Sequence, residues 1–144
     1  MKIYVLHGPS LNLLGTREPE IYGHTTLTEI NQGLIDHGKA CGADVVCHQS
    51  NHEGQLIDWV HQARGQAQGL IVNAGAYTHT SIALADAISA VKIPMVEVHL
   101  SNVFARESYR HHSYLSPVAI GVICGLGVIG YRLALDALIE RQKG

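Results

Sequence analysis

Short apolar runs alternate with helical patterns along this chain, and this alternation constrains the fold more than any other feature of the sequence. The runs cover residues 3–6, 43–47, 69–73, 94–99 and 118–123. Continuous apolar runs of this length are typical of strands that are buried on both faces of a parallel sheet. We therefore expect five strands with helical connections between them.

Capping signals and proline mark where the helices start and stop. Thr26 and Glu29 have the spacing of a capping box, and so do Ser50 and Glu53. The third pattern stops before Pro94, as a helix should. The helical patterns run through residues 27–35, 56–60, 80–91 and 128–141. Because strands and helices alternate, we predict an α/β fold, a flavodoxin-like three-layer sandwich with a five-stranded parallel sheet.

Composition narrows the class of protein further. The 144 residues suit one domain, expected over residues 1–144, and a hydrophobic fraction of 47% excludes a disordered chain. Ten Lys+Arg against twelve Asp+Glu argue against nucleic-acid binding. Three cysteines with no CxxC pair favour a reducing compartment, and the N-terminal apolar stretch is too short for a secretory signal. We expect a cytoplasmic protein.

A membrane span is the first alternative to consider. No Asp, Glu, Lys or Arg occurs in residues 111–131, and a run of that length could cross a bilayer. However, the run contains Pro117 and four glycines. Such breakers favour a buried strand, a glycine turn and a helix start, so no membrane association is expected.

Polar residues concentrate directly after the predicted strands. In doubly wound sheets ligands bind outside the carboxyl ends of the strands, so these residues are candidates for a site. The connection after the first strand is long, as binding loops and lids often are. The polar residues in these segments are Arg17, Tyr22, Asn73, His79, His99, Ser101, Arg106 and Arg110.

These residue types favour acid–base chemistry on an anion. Arginines and helix N-termini suit a carboxylate or a phosphate, and a histidine suits general acid work. Glu97 lies two residues before His99, on the same strand face, where it could orient the histidine or pair with an arginine. An arginine near Tyr22 would lower the phenol pKa from about 10 and make a plausible carbon-acid base. No lysine follows a strand, so a Schiff base is not expected.

Other classes of protein explain the sequence less well. Gly125, Gly127 and Gly130 form a GxGxxG pattern, but no second strand with an acidic residue follows, so nucleotide binding is disfavoured. These glycines are expected to allow close helix–strand packing or to contact a ligand. The histidine pairs 48/52 and 111/112 lack the acidic neighbours of a metal hydrolase. A non-catalytic interaction module would leave the grouping of tyrosine, histidine and arginines without a role.

Three long motifs occur in order along the chain. They cover residues 8–15, 17–19 and 21–23, then 73–75 and 78–81, then 97–102, 105–107, 110–113, 115–117 and 121–125. These motifs resemble those of the type II 3-dehydroquinate dehydratases. The resemblance implies a flavodoxin-like homododecamer that dehydrates 3-dehydroquinate to 3-dehydroshikimate through an enolate, without metal or cofactor. The same reaction serves the shikimate pathway of aromatic amino acid biosynthesis and quinate catabolism.

The resemblance also implies roles for individual residues. Tyr22 is the expected base, Arg17 stabilises its phenolate, and His99 is the acid for the leaving hydroxyl. Asp86 matches a position that reaches a neighbouring subunit's site. The predicted substrate-binding set is Ser10, Asn73, His79, Asp86, Glu97, Leu100, Ser101, Arg106 and Arg110.

Ser10 departs from the family pattern, which has Gly-Pro-Asn at this place. The family's asparagine helps to hold a water on the enolate oxygen, and serine is shorter with a single donor hydrogen. Asn12 would point to the same side if the segment were extended. We expect an active but impaired enzyme; the alternative is an impaired member that binds a related hydroxylated carboxylate. The loop over residues 9–23 is expected to close on substrate, because Arg17 and Tyr22 ride on it.

Overall fold

The computed structural model describes residues 1–16 and 19–144, except for the side chains at positions 21 and 22. Its sheet contains β1 Lys2–His7, β2 Asp44–Gln49, β3 Gly69–Asn73, β4 Met95–His99 and β5 Gly121–Cys124. All pairings are parallel, in the order β2-β1-β3-β4-β5. The predicted five-stranded parallel sheet is confirmed, and its order is that of flavodoxin-like sheets.

Helices cover both faces of the sheet. They are α1 Pro19–Tyr22, α2 Leu27–Ala40, α3 Glu53–Ala63, α4 Ile82–Val91 and α5 Ile129–Lys143. Ile3 and Val5 of β1 belong to the core under α2 and α5. Tyr4 and Leu6 belong to the core under α3 and α4. Alternate residues of each strand thus fill opposite cores, and the predicted three-layer sandwich is confirmed.

The two predicted capping boxes behave differently. Thr26 Oγ1 accepts the Glu29 N–H at 3.2 Å and the Glu29 side chain accepts the Thr26 N–H, so the first box is confirmed. The second prediction is wrong. Ser50 Oγ accepts the N–H of His52, at 2.9 Å, and so closes a turn of its own, while α3 begins at Glu53 without a side-chain cap. A serine hydroxyl that bonds two residues ahead competes with capping.

Two predicted boundaries also shift. The helix expected from residue 80 starts at Ile82, because Gly75–His79 forms a 3-10 helix and Ser81 Oγ caps the N–H of Leu84 at 2.9 Å. The strand expected from residue 118 starts at Gly121, because Ser116–Val118 is a 3-10 helix that contains a proline.

The glycine-rich turn after β5 is a packing device. A Cβ on Gly130 would lie 3.3 Å from Ile123 Cγ2, which confirms the predicted close approach of helix and strand. The N–H groups of Gly125 and Gly127 donate to the carbonyls of His99 and Leu100, at 3.1 and 3.0 Å. The turn therefore fixes the loop after β4. None of the helices in residues 1–16 and 19–144 is long and apolar enough to cross a membrane.

Candidate active site

A pocket of about 140 Å³ lies at the carboxyl ends of β1, β3 and β4. The chain leaves β1 toward β2 on one side and returns to β3 on the other, so the pocket sits where the strand order reverses. It is lined by Pro9, Ser10, Leu11, Asn73, Gly75, Ala76, His79, His99, Leu100, Ser101, Val103, Arg106 and Arg110. The structure thus brings most of the sequence-predicted set together.

His99 lines this pocket and forms a buried pair with Glu97. His99 Nε2 lies 2.5 Å from Glu97 Oε2, and the hydroxyls of Ser113 and Ser116 donate to the same carboxylate at 2.9 and 2.6 Å. Burial pushes the pKa of Glu97 up, but the hydrogen bonds from His99, Ser116 and Ser113 outweigh it and hold that pKa below its ordinary value. Glu97 stays ionised and orients His99, whose Nδ1 is left to contact a ligand.

His79 lies beside His99 and is suited to accept a hydrogen bond. The two rings are nearly parallel, with centroids 6.4 Å apart. His79 Nδ1 lies 2.8 Å from the carbonyl oxygen of His112, and since a carbonyl only accepts, Nδ1 carries the proton. Burial lowers the pKa of His79, with the His112 carbonyl opposing it. The ring is neutral at pH 7, so its Nε2 can accept a hydrogen bond from a hydroxyl group.

Two arginines give the pocket its preference for anions. Arg110 Nε donates to Glu107 Oε2 at 2.7 Å, and Arg106 Nη1 lies 3.4 Å from Ser101 Oγ. Both guanidinium side chains are half-buried and line the pocket. Planar guanidinium groups bind carboxylates through paired hydrogen bonds, so a ligand with a carboxylate fits this end of the pocket.

Ser10 holds a backbone conformation that serine rarely adopts. Its φ of 68° and ψ of −2° lie in the left-handed region, where asparagine is enriched among non-glycine residues. Its N–H donates to Asn51 Oδ1 at 3.0 Å. Leu11–Leu13 forms a 3-10 helix, so the segment is not extended and the expectation that Asn12 points to the same side loses its basis. Asn12 is exposed and outside the pocket lining.

Four predicted residues are not among those that line the pocket. Glu97 is one of them, and it reaches the pocket only through its contact with His99. Asp86 is exposed on α4, outside the lining, and its role in a neighbouring subunit's site stays a prediction. Arg17 lies outside the described residues, and so does the side chain of Tyr22. Their roles as base and base partner stay predictions as well.

The sequence did not reveal the residues that hydrogen-bond to the predicted site residues. Ser113 and Ser116 lie in the third motif, which was the signal that they matter, yet their contact with Glu97 was not foreseen. Tyr131 is fully buried and accepts a hydrogen bond from the Asn73 amide at 2.9 Å. Nothing in the sequence distinguishes it from an apolar core residue of the last helix.

One group in the described part of the chain has the donor types of a metal site. His37, Cys41 and Asp136 lie together where α2 and α5 meet, and none of them lines the pocket. His37 Nε2 and Asp136 Oδ1 are 2.6 Å apart, which is a direct hydrogen bond. Two ligands of a tetrahedral zinc ion lie about 3.3 Å apart, since each bond is about 2 Å long. The spacing is therefore that of a hydrogen bond between two helices.

Two of the four histidines considered for a metal hydrolase contact other groups of the protein. The His48 ring stacks on Trp59 with centroids 4.5 Å apart. His111 Nε2 lies 3.0 Å from the Arg106 carbonyl oxygen.

Fold and site together define a doubly wound α/β protein whose switch-point pocket offers histidines, an asparagine and arginines to an anionic ligand. The family model for class II dehydroquinases matches residues 1–139. The chain is 63% identical over 136 residues to the 3-dehydroquinate dehydratase of Ruegeria pomeroyi, covering 94% of this chain and 91% of that relative. It is 64% identical over 138 residues to that of Gloeothece citriformis, covering 96% and 91%.

A solved structure agrees with these relatives. The type II dehydroquinase from Butyrivibrio crossotus matches with a TM-score of 0.94 at 44% identity, covering 96% of this chain and 97% of that chain. This chain belongs to the class II dehydroquinase family.

Proposed function

We propose that this protein dehydrates 3-dehydroquinate to 3-dehydroshikimate. The observation that carries the proposal is the switch-point pocket, where His99 meets Asn73, His79 and two arginines, with Glu97 hydrogen-bonded to His99 behind the lining. A relative named 3-dehydroquinate dehydratase shares 63% of the aligned residues. No observation favours the alternative, a member that only binds a related hydroxylated carboxylate.

The contacts of His99 support the acid step of the proposed mechanism. In the reaction a proton alpha to the ketone is removed, an enolate forms, and the C1 hydroxyl leaves as water after it gains a proton. With Nε2 held by the Glu97 carboxylate at 2.5 Å, His99 can carry a second proton on Nδ1 and pass it to the leaving hydroxyl. The carboxylate stabilises the imidazolium form that must exist before the transfer.

The base half and the binding contacts complete the proposal. Tyr22 removes the proton, with Arg17 stabilising its phenolate. Asn73 and His79 bind substrate hydroxyls. Arg110 and the backbone of the loop after β4 bind the carboxylate. These steps need a base, an acid and hydrogen-bond donors, so we propose no metal or cofactor.

We further propose one catalytic domain over residues 1–144 that works in the cytoplasm as a homododecamer. Two exposed features support contact between copies. Ile82 is 57% exposed on α4, one turn before Asp86, and Val122 is 47% exposed on the edge strand β5. Exposed apolar side chains on an edge strand are typical of surfaces that another chain covers. Light scattering after gel filtration should give the mass of twelve 15.6-kDa chains; a monomer's mass would overturn the assembly.

Ultraviolet absorbance on mixing the protein with 3-dehydroquinate tests the reaction, because the conjugated product absorbs and the substrate does not. Wild-type protein should form product, and His99→Gln should lose about 10²–10⁴ in kcat. His52→Gln is the matched control, since His52 is an exposed histidine outside the pocket. Folded wild type that forms no product would overturn the proposal, and undiminished activity in His99→Gln would overturn the assigned acid.

A further inference from the structure

Four polar side chains form a continuous row of hydrogen bonds beneath the pocket. Asn31 of α2 contacts His7 at the end of β1, with Oδ1 and Nε2 2.8 Å apart. His7 Nδ1 contacts Tyr131 Oη of α5 at 2.9 Å, and Tyr131 Oη contacts Asn73 Nδ2 at 2.9 Å. His7 and Tyr131 are fully buried and Asn73 is 3% exposed. The row runs from the half-buried surface of α2 to a residue that lines the pocket.

The two ends of this row together fix the direction of every hydrogen bond in it. The Gly75 N–H can only donate, and it donates to Asn73 Oδ1 at 3.2 Å. Asn73 Nδ2 is therefore the nitrogen that donates to Tyr131 Oη. At the other end of the row Asn31 Oδ1 can only accept, so His7 donates to it from Nε2. The neutral ring then has no hydrogen on Nδ1, and the phenol O–H of Tyr131 donates to that nitrogen. Only one placement of the hydrogens satisfies all the contacts of the row, and it has His7 in its Nε2–H tautomer.

Burial keeps both central groups of the row neutral. Desolvation lowers the pKa of His7 to about 4, against a smaller opposing effect of the Asn31 hydrogen bond. Desolvation likewise raises the pKa of Tyr131 above its ordinary value. The order of donors and acceptors therefore does not change near neutral pH.

We propose that Tyr131 and His7 are positioning residues that hold the Asn73 amide with its second Nδ2–H toward the substrate. This inference rests on the proposed function, in which Asn73 binds a substrate oxygen. One Nδ2 hydrogen is used by Tyr131, and the other is left for the pocket that Asn73 lines. The pocket therefore presents a donor at this point, and it selects a substrate with an acceptor oxygen there.

Packing alone gives no reason for polar groups here. The Tyr131 ring lies in the core under α2 and α5 among Ile3, Val5 and Leu135, where an apolar ring would also fit. A buried polar network is costly unless every member is satisfied. Here each member has a hydrogen-bond partner, and the one hydrogen left over belongs to Asn73, at the pocket.

Tyr4 offers a matched comparison within the same sheet. Its ring is also buried, at 4% exposure, and its hydroxyl contacts Gln66 Oε1 at 2.9 Å, away from the pocket lining. Tyr4→Phe and Tyr131→Phe each delete one buried hydroxyl and keep the ring. Both variants are expected to lower the melting temperature, so thermal stability does not separate a positioning role from a structural one.

Steady-state kinetics with 3-dehydroquinate make that separation. Tyr131→Phe should raise KM about five- to tenfold, the value of one hydrogen bond, with kcat changed by less than about twofold. Tyr4→Phe should leave KM unchanged. An unchanged KM in Tyr131→Phe, or an equal rise in both variants, would overturn the inference while leaving the proposed reaction intact. Inactive wild type would overturn both.

Nitrogen-15 NMR of the histidine side chains tests the row without using activity or a variant. Wild-type protein should show His7 as a neutral ring protonated at Nε2 at pH 7 and still neutral at pH 5. A ring protonated at Nδ1, or an imidazolium at pH 5, would overturn the inference even if Tyr131→Phe failed to fold.

Discussion

Two buried histidines lie on opposite faces of the same sheet, and their neighbours give them opposite roles. On the face toward α4, His99 contacts the ionised carboxylate of Glu97. On the face toward α5, His7 contacts the neutral Asn31 amide and the neutral Tyr131 phenol. The first ring lies beside a negative charge, whereas the second ring has only neutral partners and its pKa is lowered by burial to about 4. The comparison teaches that a buried histidine indicates acid chemistry only when the groups around it include a negative charge.

The largest expected effect comes from removing the charge beside His99. Glu97→Gln keeps the shape of the side chain but no longer stabilises an imidazolium, so kcat should fall about 10²–10³-fold, within the range of general acid catalysis. Measured rates for Glu97→Gln and for Glu140→Gln, an exposed residue of α5, test this. Equal rates in the two variants would show that the carboxylate does not support the acid.

The neutral histidine predicts a specific loss of stability in acid. His7 has a pKa of about 4 when folded and 6.5 when unfolded, so the unfolded state binds the proton first as the pH falls. Between pH 7 and pH 5 this linkage should remove about 2 kcal/mol from the free energy of unfolding.

Urea unfolding of wild type and His7→Gln at these two pH values measures the effect. The variant is less stable at pH 7, but its stability should fall less between the two pH values, by about 2 kcal/mol. The same slope in both proteins would contradict a neutral His7.

The smallest expected effect comes from substituting Ser10, which lies in the segment after β1. Asparagine suits the left-handed conformation at φ 68° better than serine and brings an amide. Ser10→Asn should therefore raise stability by a few tenths of a kcal/mol and raise kcat about tenfold, less than the 10²–10³ that an oxyanion donor can contribute. Ser10→Gly separates the two effects, because glycine relieves the backbone without an amide. If Ser10→Asn gives no gain in turnover, Ser10 does not impair the enzyme.

Alternation of apolar runs was enough to predict the sheet and its two helical layers, because each run is long enough for one buried strand. The same reasoning placed Glu97 and His99 on one face, since a two-residue spacing settles that for any regular strand. Strand order was not predictable, because pairing between β1 and β3 depends on contacts far apart in the chain.

Local hydrogen bonds explain most of what the sequence could not predict. Ser50 and Ser81 carry the same hydroxyl, yet one closes a turn and the other caps a helix. The backbone conformation around each serine decides between these roles, and the spacing of residues in the sequence does not reveal that conformation. Tyr131 of α5 was missed for a similar reason, because its hydroxyl contacts residues of two strands that are distant in the sequence, β1 and β3.

Deuterium exchange at the carbon next to the ketone, followed by proton NMR in D₂O, tests the central claim most directly. That claim is that His99 supplies only the acid, held by Glu97, while the base lies elsewhere. His99→Gln should exchange the alpha proton of 3-dehydroquinate for deuterium while forming almost no product, because the enolate still forms and cannot lose its hydroxyl. Tyr22→Phe should block both exchange and product. Exchange that is lost in His99→Gln but kept in Tyr22→Phe would contradict the account, since it would make His99 the base.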